Sequence, residues 1–255
     1  LKDTFELTEK KRLIRIKYSE VNNIGMSGFF LKSIYFQTKS VKYQFRWLSK
    51  KQAGSLLVLY NNIEKNAWLE KYKMHKSEIH TLNGWLKEID NQSIYQRESV
   101  FSYNILKSKE LLKKFNSRIP KLLTSSSEAS KISKIREFVN ERQDDRNEIN
   151  EDYISNEIDN QAKLFNTIEK NPLTDEQRRS VVIDEDANLV IASAGSGKTS
   201  VIVAKTAWLI NKKLRKPKDI LLLAFARDAK IEMSERLAER IEHPDIEDVN
   251  VHTFH

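Results

Sequence analysis

The 255-residue sequence contains no cysteine. Disulfides and thiolate metal sites are excluded, which fits a reducing compartment. Proline and glycine are scarce, four and six residues. The five histidines (His75, His80, His243, His252, His255) show no ligand spacing, and His75 and His80 read as polar helix-face residues. No apolar run approaches the ~20 residues of a membrane span. The start, Leu1-Lys2-Asp3, has no signal-peptide core. These absences predict no membrane partner, no metal cluster of Cys or His, and a cytoplasmic location. They leave the oligomeric state open.

What is present is charge. Charged residues make up 31% and hydrophobic ones 39%, outside the disordered range. The formal charge is +8 and the pI about 9.4. Such an excess favours a polyanionic partner such as nucleic acid. A generally Lys-rich composition explains it equally well.

Residues 1–62 read as a small antiparallel β module with a C-terminal helix. Leu13 to Tyr18, Gly28 to Gln37 and Val41 to Trp47 are rich in β-branched and aromatic residues, with a turn expected near Asn22-Asn23 and Gly25. The Lys39-Ser40 link suits a hairpin, and links this short force antiparallel pairing. Ser49 then caps a helix with Ala53, Leu56, Leu57 and Tyr60 on its apolar face. The aromatics, interleaved with Lys32, Lys42 and Arg46, fit either a base-stacking platform or, more simply, a core with a solvated basic face.

Residues 63–170 read as a helical extension. Trp68, Tyr72, Ile79, Leu82, Trp85, Leu86 and Ile89 recur at helical spacing, and a second series runs from Ile132 to Ile168. Glu137 to Asp152 is nearly all polar, which suggests a solvated stalk or hairpin.

From Pro172 the pattern changes. Leu189–Ser193 reads as a strand, Lys198–Asn211 as a helix, Ile220–Phe225 as a strand, Arg227–Ile241 as a helix, and Val249–Val251 as the start of a third strand. Ala229, Met233, Leu237 and Ile241 form a stripe to face the sheet. This is the order of a parallel nucleotide-binding sheet. Between the first strand and helix lies Ala192-Ser193-Ala194-Gly195-Ser196-Gly197-Lys198-Thr199, followed by Ser200. Gly195 and Gly197 let the backbone approach a polyphosphate, and the helix start adds its positive dipole end. Lys198 would reach the β- and γ-phosphates and Thr199 would ligate Mg²⁺. An ordinary Gly/Ser turn is the alternative.

Several motifs then stand in an order that resembles superfamily 1 UvrD/Rep-type DNA helicases. Leu173-Thr174-Asp175-Glu176-Gln177-Arg178-Arg179 resembles that family's glutamine motif, and the Ala192 loop its A-G-x-G-S-G-K-T, with Ser193 in place of the usual Gly. Ile220 to Met233 resembles motif Ia, and Val251-His252-Thr253-Phe254-His255 is similar to T-F-H. The long upstream portion and the L-L-L-A-F-x-R stretch are similar to the helicase IV branch. The expected fold class is α/β and α+β multidomain: the β module, the helical extension, and over 171–255 the start of a P-loop (RecA-like) parallel α/β domain.

The resemblance implies ATP and Mg²⁺ as cofactors and single-stranded DNA as partner. Gln177 would read adenine; Ala192 through Ser200 would cradle the phosphates; Lys198 and Thr199 would serve hydrolysis. Phe225, Arg227, Thr253, Phe254 and His255 would contact DNA, with 3′-to-5′ polarity implied by the family alone. The family's D-E-x-Q carboxylates, its transition-state arginines and a second RecA-like domain are not found in this sequence, and Glu185 and Asp144-Asp145 do not stand in their place. The expectation is therefore an N-terminal part of a helicase, catalytically incompetent by itself. A binding or interaction module with a vestigial P-loop half is the rival reading.

Overall fold

The computed structural model describes residues 4–9, 12–17, 20, 23–27, 32–37, 42–48, 50–115 and 119–254. They fall into two compact units. The first holds residues 1–87 and 104–143, the second 88–103 and 144–255.

In the first unit, β1 (Thr4–Glu9) pairs antiparallel with β2 (Arg12–Lys17). β3 (Asn23–Ser27), β4 (Lys32–Gln37) and β5 (Lys42–Leu48) form a second antiparallel sheet in that order. The five strands thus make two sheets where sequence suggested one. The segment expected to turn at Asn23 and Gly25 is strand β3, with Gly25 opposite Tyr35. Pairing with β4 satisfies its backbone, and that outweighs the local turn preference. Lys42 Nζ lies 4.4 Å from the ring centre of Tyr35, one basic–aromatic contact of the interleaved set. The expected cap Ser49 lies outside the described residues, as do residues 28–31 and the hairpin link 38–41.

Helix α1 (Lys50–Met74) packs on β4 and β5 and continues unbroken past residue 62. Ile63, Trp68 and Tyr72 are buried along it. Trp68 stacks on Tyr72 at 5.7 Å and meets Phe115 edge-on at 5.5 Å. Helices α2 (Lys76–Asp90), α3 (Glu98–Lys114) and α4 (Ser127–Glu141) follow. Ser126 caps α4 by accepting from the Ala129 N–H, and Trp85 meets Phe138 edge-on at 5.2 Å.

The second unit contains α5 (Arg146–Asn160), α6 (Ala162–Thr167), α7 (Asp175–Val182), α8 (Lys198–Asn211), β6 (Leu221–Ala224), α9 (Arg227–Arg240) and β7 (Asn250–Thr253). Its core joins Tyr153, Ile154, Phe165 and Ile168 to Val203, Ala207, Trp208, Met233 and Leu237. Burial therefore crosses Pro172, where the sequence pattern changes. β6 and β7 are parallel, Ala224 opposite Thr253, with α9 as the crossover. Met233, Leu237 and Ile241 are buried as expected, but Ala229 is exposed, because it stands in the first turn of α9, ahead of the packed stretch.

Two further expectations fail here. Leu189–Ser193 is not a strand. A strand needs a hydrogen-bonded neighbour, and among the described residues no strand pairs with this segment. Leu189 and Ile191 are 86% and 90% exposed, so no sheet face covers them. The solvated stalk fails in part: within 137–152 Phe138, Val139, Ile149 and Asn150 are buried and the rest exposed or half-buried, and beyond Asp152 helix α5 goes on into the core. Ile149, Asn150, Tyr153, Ile154 and Glu157 are buried. Its polar residues satisfy other groups: Asn150 accepts from the Gln96 N–H at 2.8 Å and donates to the Gln96 carbonyl at 3.1 Å. Polar composition signals solvent only when the polar groups lack protein partners.

Candidate functional site

The loop 192–199 is closed on itself. Ser193 O accepts from the Ser196 N–H at 3.3 Å, the Ser196 hydroxyl at 2.8 Å and Lys198 Nζ at 2.6 Å. Lys198 Nζ also donates to Ala192 O at 3.2 Å. Gly195 and Gly197 have φ of +77° and +84°, left-handed backbone that glycine adopts without a Cβ clash. Gly197 is the N-cap of α8, and Lys198 and Thr199 form its first turn. Ala194, Gly195, Ser196 and Lys198 are exposed, and Thr199 and Ser200 half-buried. The N–H groups of that first turn have no partner inside the helix, so the loop offers donors and positive dipole to an anion.

Gln177 stands directly over this loop. It is the third residue of α7, and the helix starts with a reciprocal capping box: Gln177 N–H donates to Thr174 Oγ1, and Gln177 Oε1 accepts from the Thr174 N–H at 2.9 Å. Its Nε2 donates to Ser196 O at 3.0 Å. A Cβ on Gly197 would stand 2.5 Å from that nitrogen. The side chain therefore spans the start of α7 and the turn of the loop.

The aromatic pair lies elsewhere in the unit. Ala224 and Thr253 are register partners at the carboxyl ends of β6 and β7. Phe225 and Phe254 are the next residues, 82% and 70% exposed. Arg227 opens α9 and is exposed, and Thr253 is half-buried. His255 lies outside the described residues. The predicted residues thus form two groups, Gln177 with 192–199 at the α7–α8 junction, and Phe225, Arg227, Thr253 and Phe254 at the strand ends. Carboxyl ends of parallel strands are where open α/β sheets bind ligands.

Sequence reasoning passed over the residues that fix these elements. Lys205 on α8 donates to Val181 O at 2.7 Å and Ile183 O at 2.6 Å, with its Nζ 4.8 Å from the Trp208 ring centre. Burial pulls its ammonium down to about 8. The signal was a lysine among Val203, Ala204, Ala207 and Trp208. Glu157 on α5 is 3% exposed and accepts from Trp208 Nε1 at 2.8 Å and Lys212 Nζ at 2.9 Å. The acidic run after α7 is fully engaged. Asp184 pairs with Arg97 and Glu185 with Arg146. Asp186 accepts from the Ser99 N–H and hydroxyl, both at 2.8 Å, which hold its carboxyl below the usual range. Arg179 on α7 pairs with Glu151 on α5, and that hydrogen bond lowers the Glu151 carboxyl. These partners are distant in sequence, so no local pattern marks them. Among the described residues, no group of three or more His, Asp or Glu side chains is placed to hold a metal, and no helix is long and apolar enough to cross a membrane.

Residues 173–255 match the family model described as the UvrD/REP helicase N-terminal domain. The chain is 44% identical over 106 residues to DNA helicase IV of Escherichia coli, covering 42% of this chain and 15% of that protein. It is 40% identical over 83 residues to a probable DNA helicase II homolog of Mycoplasma pneumoniae, 32% of this chain and 12% of that protein. It is 37% identical over 79 residues to the ATP-dependent DNA helicase Rep of Buchnera aphidicola, 31% of this chain and 12% of that protein. The matches span well under a fifth of these relatives' own lengths. The 106-residue match is longer than the family-model stretch, so it includes residues upstream of 173. The four motifs over 171–255 thus lie in a stretch that is similar to UvrD/Rep-type helicases, with relatives named DNA helicase IV, DNA helicase II homolog and Rep.

Proposed function

We propose that this chain is the N-terminal part of an ATP-dependent DNA helicase of the UvrD/Rep type, of the helicase IV branch, with 3′-to-5′ polarity. Residues 171–255 begin its P-loop (RecA-like) domain. Mg·ATP sits on the 192–199 loop, and single-stranded DNA runs over the carboxyl ends of β6 and β7. The observation that carries this reading is the Gln177 side chain seated on the loop turn at Ser196 and Gly197, in a stretch that matches helicase relatives. The amide of Gln177 offers one donor and one acceptor, the pattern that adenine's Hoogsteen edge complements. To bind, it offers the base its second N–H and second lone pair, or exchanges its present partners, Ser196 O and Thr174 N–H, for it.

Lys198 likewise exchanges the Ala192 and Ser193 carbonyls for β- and γ-phosphate oxygens, a charge-assisted contact in place of neutral ones. Thr199 offers its hydroxyl to Mg²⁺, and Ala192 through Ser200 supply the phosphate cradle. The D-E-x-Q carboxylates are not found within residues 1–255, so these residues by themselves bind nucleotide without turning it over. In the whole helicase two RecA-like domains couple hydrolysis to stepping on single-stranded DNA in the cytoplasm.

Calorimetric titration of Mg·ATP tests this directly. Wild type binds, and Lys198→Ala weakens binding at least about tenfold, a loss of about 1.4 kcal/mol. Equal affinity in the two proteins refutes the assignment of the loop.

A further inference from the structure

Helix α7 has eight residues, and its two ends are held by two different devices. At its start, Gln177 Nε2 is bonded to Ser196 O. At its end, the carbonyls of Val181 and Ile183 have no further helical turn to receive an N–H. Lys205 Nζ donates to both. Its third direction is taken by the Trp208 ring. An ammonium with three occupied directions cannot rotate away without leaving a buried carbonyl unpaired. Burial supports the same picture, holding the group at about 8. Asp184, Arg97 and Arg215 are the charges that act on it.

Lys205 stands seven residues after Lys198, about two turns along one face of α8. So α8 carries the phosphate lysine at its start, and further along it the lysine that grips α7. Sliding or rotating α7 on α8 would carry Gln177 away from Ser196, because α7 is short and stiff. The loop itself would not move with it: its internal bonds at Ser193 O do not involve α7.

We infer that Lys205 is a positioning residue for base recognition, fixing α7 on α8 so that the Gln177 amide stands where the nucleotide base arrives. The inference rests on the proposed reading of the 192–199 loop and Gln177. It adds a division of labour within the site: the loop sets affinity for the triphosphate, and the Lys205 joint sets preference for the base.

The test is calorimetric titration of the full 255-residue chain with Mg·ATP, Mg·GTP and Mg·tripolyphosphate. The proteins are wild type, Lys205→Met, Lys205→Arg, Gln177→Ala and the double variant Gln177→Ala/Lys205→Met. Lys205→Met is expected to keep its tripolyphosphate affinity. It should lose about five- to tenfold in ATP affinity, the worth of one amide–base hydrogen-bond pair, and most of its ATP-over-GTP preference. Lys205→Arg, which keeps the donors, should restore part of that preference. The double variant should be no worse than Gln177→Ala, since both changes remove one and the same contact. Equal losses for ATP and tripolyphosphate in Lys205→Met, or losses that add in the double variant, overturn the inference. If Lys205→Met does not fold, as judged by circular dichroism, Lys205→Gln takes its place with the same expected ratios. Failure of the underlying reading looks different: wild type then shows no preference for ATP over tripolyphosphate, or Gln177→Ala leaves that preference intact, and the inference falls with it.

Discussion

Glu157 gives the sharpest test of how the second unit is held together. Its carboxylate is 3% exposed and lies between Trp208 Nε1 at 2.8 Å and Lys212 Nζ at 2.9 Å. Trp208 is fully buried, so its N–H has no access to water. Lys212 keeps its side chain 30% exposed, so the ion pair is buried at one end only. In Glu157→Ala the Trp208 N–H loses its acceptor, at about 1–3 kcal/mol for an unsatisfied buried donor. The vacated space adds a packing loss, while freeing Lys212 costs little because water can solvate it. The expected total is about 3 kcal/mol, the lower end for breaking a buried pair. Glu157→Gln keeps an acceptor for Trp208 and should lose about half as much. The assay is guanidinium unfolding followed by tryptophan fluorescence and by circular dichroism. Loss of the α5 contact predicts a lower midpoint for the second unit. A Glu157→Ala protein within about 0.5 kcal/mol of wild type would refute the reasoning, since it would mean that the Trp208 N–H had found another partner or was never dry.

Stability should depend on pH through two groups of opposite sign. Lys205 sits at about 8, below its usual 10.5, so between those values the unfolded chain holds more protons and stability rises with pH. The interval is worth about 3 kcal/mol at most, and Lys205→Met should abolish the rise in the unfolding midpoint. Tyr153 is pushed up, chiefly by burial and then by Glu157, so its contribution is complete below pH 10 and is lost above it. Gly197→Ala should cost roughly 1–2 kcal/mol from the left-handed backbone alone. Its methyl would stand 2.5 Å from Gln177 Nε2, so ATP affinity should fall more than that of tripolyphosphate; equal losses for the two ligands would contradict the packing. Phe225→Ala should weaken binding of a labelled oligothymidine by about 1–3 kcal/mol, the worth of one stacked base. Anisotropy titrations across salt should show a steep slope in both proteins, and unchanged affinity in the variant would remove Phe225 from the DNA path.

Elements whose causes are local can be read from the residues alone. α8, α9, β6 and β7 stand where periodicity put them, because an amphipathic stripe or an apolar run specifies its own element. Gly197 was legible because a tight turn into a helix needs positive φ. Gln177 was legible only through the likeness of residues 173–179 to the glutamine motif, and the capping box that seats it is seen in the structure. Features that depend on partners far along the chain emerge on folding. Strand β3 exists because β4 lies beside it, and Leu189–Ser193 is not a strand because no described strand pairs with it. Two polar residues of α5 are buried because Asn150 meets the Gln96 backbone and Glu157 meets Trp208. A buried polar group looks in sequence like a solvated one; the difference is the hydrogen-bond partner, and that partner is supplied by folding.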